Sequence, residues 1–313
     1  MKISRFIDSL SIKAGLVAAL TLGGCIATTY PYMRTETAQR IAAPAWMIKR
    51  DISASPFILR AYERIHDRGG VANIYIEGED TLADSSRTPF NPVALHLASK
   101  DKAENLIYLA RPCQYTEMLD PAESCKTSYG KDARFSEDVI ASYDIALNDI
   151  AKRYDISMFN VIGYSGGGAI ATLLAAKRSD IVSLRTVAGI LDHETYSDVA
   201  TAPSFTKSLN PVNEASTLTK MPQYHFIGGR DNVVTPAVLH SYLQSMPPTN
   251  CVQTMMVQEA DHTIGWVDKW PELLKLPVSC YNKNGMSNGT ETLMPPTMPQ
   301  DLPQTVREKP VKP

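Results

Sequence analysis

No block of basic residues runs through this sequence. Its 31 Lys and Arg stand against 33 Asp and Glu, for a net charge of −2. A nucleic-acid partner needs a positive footprint, so that class is excluded. No Cys-x-x-Cys pair and no Cys/His cluster occurs among the five cysteines and six histidines. The usual structural zinc sites are therefore absent, and no metal or cofactor is implied. No internal repeat is present, which argues against a solenoid. The apolar run nearest the N-terminus, AGLVAALTL at 14–22, is nine residues long, too short to cross a bilayer. What remains is an ordinary globular composition. The 313 residues are 44% hydrophobic and 20% charged, enough for one large core or two small ones.

The short apolar run has a context. Lys2, Arg5 and Lys13 form a basic flank before it, and Leu22-Gly23-Gly24-Cys25 begins at its last residue. A basic n-region and a short apolar h-region make a signal peptide rather than a spanning helix. Leucine, two small residues and cysteine resemble the bacterial lipoprotein cleavage box. The resemblance implies removal of residues 1–24 and acyl chains, palmitate among them, on Cys25. Such chains would supply the bilayer anchor that nine residues cannot. Ile26 stands where an aspartate would imply retention at the inner membrane, so the expected place is the outer membrane, facing the periplasm. Four cysteines are left in an oxidising compartment, an even number. Three pairings are open. Cys113–Cys125 and Cys251–Cys280 are favoured because each closes a local loop, with buried free thiols as the alternative.

Along the chain, residues 25–45 read as a polar spacer with one short helical possibility, TETAQRIAA. From 46 to 281 strands and helices alternate. The periodicity predicts strands at 71–78, 104–110, 158–164, 181–190, 222–229 and 251–257, and helices at 91–100, 136–154, 167–178, 236–246 and 265–274. Asn91 and Pro92 look like a cap and first turn, and Pro271 is a potential break. WMIKRDI and FILRAYERI, before residue 66, fit strand and, for the second, helix about equally. This alternation predicts an α/β class with a mostly parallel sheet covered on both faces. Residues 282–313 are Pro-rich and lack hydrophobic periodicity, a composition expected to stay extended or disordered.

Gly163-Tyr164-Ser165-Gly166-Gly167 is G-x-S-x-G between a predicted strand and a predicted helix, the context that motif requires. The chain must reverse within about one residue, which forces the serine to positive φ. Gly163 and Gly167 are needed because side chains there would collide. Ser165 Oγ is then exposed at the carboxyl edge of the sheet, beneath the free N–H groups of the following helix. The Gly166 N–H is placed to bind an oxyanion. A serine needs a base, and the base an orienter. Asp231 lies just past one strand end and His262 in the loop after the next. Ser165…Asp231…His262 is the chain order of one class of serine hydrolase. His193 and Asp192 are rivals for base and acid, since they share that edge. His66, His96, His225 and His240 fit solvated, packing, core and helical positions, and Asp261 is expected to point elsewhere.

On these residues the chain, over about 46–281, resembles an α/β-hydrolase. The resemblance implies an eight-stranded, mostly parallel sheet with helices on both faces and antiparallel early strands, so 46–52 and 57–65 are expected as strands. It implies a small cap, expected at about 192–221, whose polar composition suits a small or polar substrate. It also implies a second oxyanion donor after the third strand. Here Tyr-Ile-Glu-Gly-Glu-Asp (75–80) departs from the usual His-Gly-rich pattern. The N–H of Glu79 or Asp80 is the candidate donor, with the acidic side chains expected to point outward. Arg111, after the fourth strand, is open to two readings: a contact for an anionic substrate, or a structural ion pair. The resulting expectation is a lipid-anchored envelope hydrolase that cleaves an ester, amide or thioester through an acyl-enzyme. The alternative is a silent envelope binding protein on the same fold. Oligomeric state is not legible.

Overall fold

The structure is a computed structural model that describes residues 32–79, 87–116, 119, 125–200 and 205–281. The leader, Cys25, Asp80 and the tail from 282 lie outside the described residues. Eight strands form one sheet: β1 (Ile48–Ala54), β2 (Phe57–Ile65), β3 (Val71–Ile76), β4 (Asn105–Leu109), β5 (Met158–Tyr164), β6 (Ile181–Val187), β7 (Gln223–Gly228) and β8 (Val252–Val257). Their order is β1-β2-β4-β3-β5-β6-β7-β8. β2 runs antiparallel to both β1 and β4, and all other pairings are parallel. The ambiguous early segments are therefore strands. Their alternation suffices once a two-residue link at Ser55-Pro56 lets them pair as a hairpin.

The central strands are buried on both faces, and their successive side chains divide between two cores. Ile74, Ile107 and Val161 face helices α3 (Glu137–Tyr154), α4 (Gly166–Lys177) and α6 (Pro236–Gln244). Tyr75, Tyr108 and Ile162 face α1 (residues 32–42), α2 (Val93–Lys100) and α7 (Trp266–Leu273). Among the described residues, no helix is long and apolar enough to cross a membrane.

Three expectations change. The helical possibility within the expected spacer is realised as helix α1, but the segment packs into the core rather than acting as a spacer. Its Ala38 and Ala42, one turn apart, are fully buried with Met47 nearby. Small alanines allow close packing yet give little hydrophobic signal in a polar segment. Pro271 does not break α7, because Trp266 and Trp270 are both fully buried and Trp270 Nε1 donates to Tyr75 Oη at 3.0 Å. Asn91 does not cap α2. A carboxylate from the loop just after β3 does so instead: the Ala94 N–H donates to Glu77 Oε1 at 3.1 Å. In the expected cap segment, α5 (His193–Ala200) is an added helix. Phe205 within that segment is buried and stacks on Phe135, so the segment is less polar in its contacts than in its composition. Both favoured disulfides are formed, Cys113–Cys125 and Cys251–Cys280.

Candidate active site

β5 ends at Tyr164 and α4 begins at Gly166, so Ser165 alone makes the turn, at φ 52 and ψ −121. A non-glycine residue there costs about 1–3 kcal/mol and persists only where its surroundings impose it. The glycines explain how. A Cβ on Gly163 would lie 2.2 Å from Gly167 O, and one on Gly167 would lie 2.2 Å from Ile76 O. The helix start is thus pressed directly against the end of β3. The Ser165 N–H is held by Val187 O at 2.9 Å, and its own carbonyl accepts from Gly168 and Ile190.

His262 Nε2 lies 3.0 Å from Ser165 Oγ. His262 Nδ1 lies 3.0 Å from Asp231 Oδ2. The second oxygen of Asp231 accepts the Val233 and Val234 N–H groups, both at 2.8 Å. All three side chains are buried. A carboxylate with one oxygen fixed by two backbone donors can present the other rigidly. It favours the proton on Nδ1, which leaves the Nε2 lone pair facing the serine hydroxyl. The histidine loop is pinned as well. Tyr164 Oη donates to His262 O at 2.9 Å, and Trp266 Nε1 donates to the same oxygen at 3.2 Å. Tyr164 is the first of the two variable residues of the G-x-S-x-G motif, a position that the motif itself leaves without a role.

The rivals are occupied elsewhere. Asp192 takes hydrogen bonds from Ser241, Thr195, Asn210 and the Glu194 N–H. Burial would push its carboxyl up, but these donors outweigh burial and hold it below the ordinary aspartate value. It starts α5 rather than orienting a base. His193 stacks on Phe205, and burial pushes its imidazole pKa down. His225 is a satisfied core residue between Thr186 and Gln223, pushed down to about 3 by burial. Asp261 accepts the N–H groups of Thr263 and Ile264 in its own turn.

The loop after β3 lies against the serine, since a Cβ on Gly78 would meet Ser165 Cβ at 2.9 Å. This is the position expected for a second oxyanion donor. The acid at its tip, however, does not point outward. Glu79 Oε1 is 2.9 Å from Arg111 Nη1, and a Cβ on Gly166 would meet Glu79 Oε2 at 2.1 Å. The repulsion that argued for an outward carboxylate is offset by Arg111, which is buried. No local pattern could reveal that pair, because its partners come from loops after different strands. Arg111 is thus an ion-pair residue, of the two readings its sequence position allowed.

Glu77 holds this loop to α2. Its Oε1 accepts the Gly78 and Ala94 N–H groups. Burial pushes its carboxyl up to about 7, against the pull of those hydrogen bonds. A carboxyl whose pKa is raised on folding stabilises the fold fully below its unfolded value, near 4.5. That contribution is lost as pH rises through 7. The full effect is about 3 kcal/mol. Glu77→Gln keeps the acceptor oxygen and cannot ionise. Its Tm should gain on the native Tm between pH 5 and pH 8, and parallel melting curves across that range would refute the assignment.

Among the described residues, no group of three or more His, Cys, Asp or Glu side chains could hold a metal ion. No family model matches the chain, and no curated protein sequence does. Solved structures do. The chain is similar to a bacterial membrane phospholipase A described as a virulence factor, at 13% identity and a TM-score of 0.51, covering 87% of this chain and 96% of that one. An esterase from Pyrococcus furiosus matches at 13% identity and a TM-score of 0.52, over 74% and 90% of the two chains. Est1E from Butyrivibrio proteoclasticus matches at 11% identity and a TM-score of 0.51, over 72% and 95%. The chain has the α/β-hydrolase fold.

Proposed function

We propose that the protein is a serine hydrolase that cleaves a carboxylic ester through an acyl-enzyme on Ser165. The observation that carries this reading is the unbroken relay from Ser165 Oγ through His262 to Asp231, with 3.0 Å at each step. In this mechanism His262 Nε2 takes the hydroxyl proton as Oγ attacks the carbonyl carbon. The tetrahedral oxyanion is held by the N–H of Gly166, with the N–H of Glu79 as second donor. His262 then returns the proton to the leaving alcohol. A water activated by the same nitrogen hydrolyses the acyl-enzyme. Asp231 holds the imidazole and stabilises its transient charge without taking the proton. Amides and thioesters use the same steps, and the fold alone does not select among them. The test is a pH-stat screen of short-chain esters with the folded protein. Turnover that depends on Ser165 and His262 supports the reading, and no turnover of any ester, amide or thioester counts against it.

The basic flank, short apolar run and Leu-Gly-Gly-Cys box support a lipid-anchored enzyme on the bacterial envelope, facing the periplasm from the outer membrane. In the producing bacterium, Cys25→Ala should move the protein from the membrane to the soluble fraction. Equal membrane retention of the variant would remove the lipid anchor from the account.

A further inference from the structure

The Glu79–Arg111 pair has no role in the relay, yet it sits on the residue after the nucleophile. Arg111 Nη1 lies 2.7 Å from where a Gly166 Cβ would be, and Glu79 Oε2 lies closer still, at 2.1 Å. Arg111 is 4% exposed. Its backbone N–H is fixed by Gln114 Oε1, and its Nη2 donates to Arg134 O. The guanidinium also lies over the Phe135 ring. It is a rigid platform. The carboxylate it holds is not satisfied. Both Glu79 oxygens, and Arg111 Nη1 itself, are buried without a hydrogen bond of good geometry. A buried carboxylate accepts up to four hydrogen bonds, and leaving that capacity unfilled is costly. Tyr196 of α5 also senses this group: burial raises its phenol pKa first, and the Glu79 charge adds to that.

The two oxygens differ. Oε1 is taken up by the ion pair, while Oε2 is the oxygen nearer Gly166, the residue whose N–H is the proposed oxyanion donor. A substrate anion would have to compete with Glu79 for Arg111 and strand a buried carboxylate. A substrate hydrogen-bond donor would add to Oε2 with the pair intact. Resting on the hydrolase reading above, we propose that Glu79 is a specificity-determining residue, whose free oxygen receives a hydroxyl or ammonium group of the substrate close to the scissile carbonyl. The preferred substrates are then esters of hydroxy or amino acids, or of polyols, rather than plain fatty-acyl esters. Arg111 is the positioning residue that fixes the carboxylate.

Matched esters test this without any variant. Ethyl lactate against ethyl 2-methoxypropanoate, and 2-hydroxyethyl against 2-methoxyethyl propanoate, differ in the donor while keeping the oxygen. Ethyl alaninate supplies the ammonium, and the monoethyl ester of methylmalonic acid supplies an anion. Turnover is read by pH-stat on the full chain. One charge-assisted hydrogen bond predicts a preference of about tenfold or more in kcat/KM for the donor member of at least one pair. Glu79→Ala should bring that ratio toward one, with a native-like melting curve as the check on folding and fluorophosphonate labelling of Ser165 in the native chain as the check on the nucleophile. Ratios near one in the native enzyme, a preference for the anionic ester, or a ratio that Glu79→Ala leaves intact would each overturn the inference. Absence of both labelling and turnover would instead sink the hydrolase reading, and this inference with it.

Discussion

Replacing Ser165 by alanine should lower ester turnover by about 10⁶-fold while leaving the fold in place. The size follows from the arrangement. Loss of the nucleophile in a relay of this kind costs about as much as loss of the whole relay, near 10⁶ in kcat. What survives comes from the oxyanion donors and from binding alone. The structural cost should be small or even negative. Ser165 sits at φ 52, where alanine is no worse than serine, and the hydroxyl's partner within hydrogen-bond reach is His262 Nε2. The backbone bonds at this residue, from its N–H to Val187 O and into its carbonyl from Gly168 and Ile190, do not involve the side chain. Kinetics with one good ester, beside thermal melting of both proteins, separates the two effects. Near-native turnover by a Ser165→Ala protein would mean that another group performs the attack.

Gly167→Ala should damage the fold itself. Its added methyl would stand 2.2 Å from Ile76 O and 2.6 Å from Glu77 O. Both contacts are backbone, so no rotamer change relieves them, and α4 or the end of β3 must move. Overpacking of this severity is expected to cost at least about 3 kcal/mol, a fall in Tm on the order of 10 °C for a domain of this size. Any protein that still folds should have lost the contact between the Gly78–Glu79 backbone and Ser165, and with it most of its activity. Gly130→Ala is the control, because its Cβ meets only the side chain of Arg87, at 3.3 Å. That variant should stay within about 1 kcal/mol of the native protein. Equal melting temperatures for Gly167→Ala and the native chain would contradict the close approach.

The same contacts indicate what a sequence can disclose. The glycines at 163 and 167 were legible because a strand–turn–helix reversal leaves no room for side chains, whatever the rest of the fold does. Asp231 and His262 were legible because parallel strands deliver their following loops to one edge. The second early strand, 57–65, was not separable from helix by periodicity, and the early assignments leaned on the family resemblance. The helical possibility in TETAQRIAA was legible, but the packing of helix α1 into the core was not, since the alanines that bury it carry little hydrophobic signal. Cooperation between distant residues was not legible at all. Glu77 caps a helix that begins 16 residues later, and Arg111 turns Glu79 inward against the expectation that two acids would avoid an oxyanion. Asp192, a plausible orienter by position, is consumed by four donors from α5, its neighbouring loop and α6. Each of these is a partnership across the fold, and a local pattern encodes only one side of it.

The most direct test of the account is the reaction of the folded protein with a fluorophosphonate, read by intact mass and peptide mapping. The account predicts one phosphonyl group per chain, carried by Ser165 and absent from Ser165→Ala. Labelling should also be far slower in His262→Ala, because the imidazole supplies the basicity that activates the hydroxyl. A well-folded protein that takes up no label, or takes it up at a residue other than Ser165, would contradict the claim that this serine is an activated nucleophile.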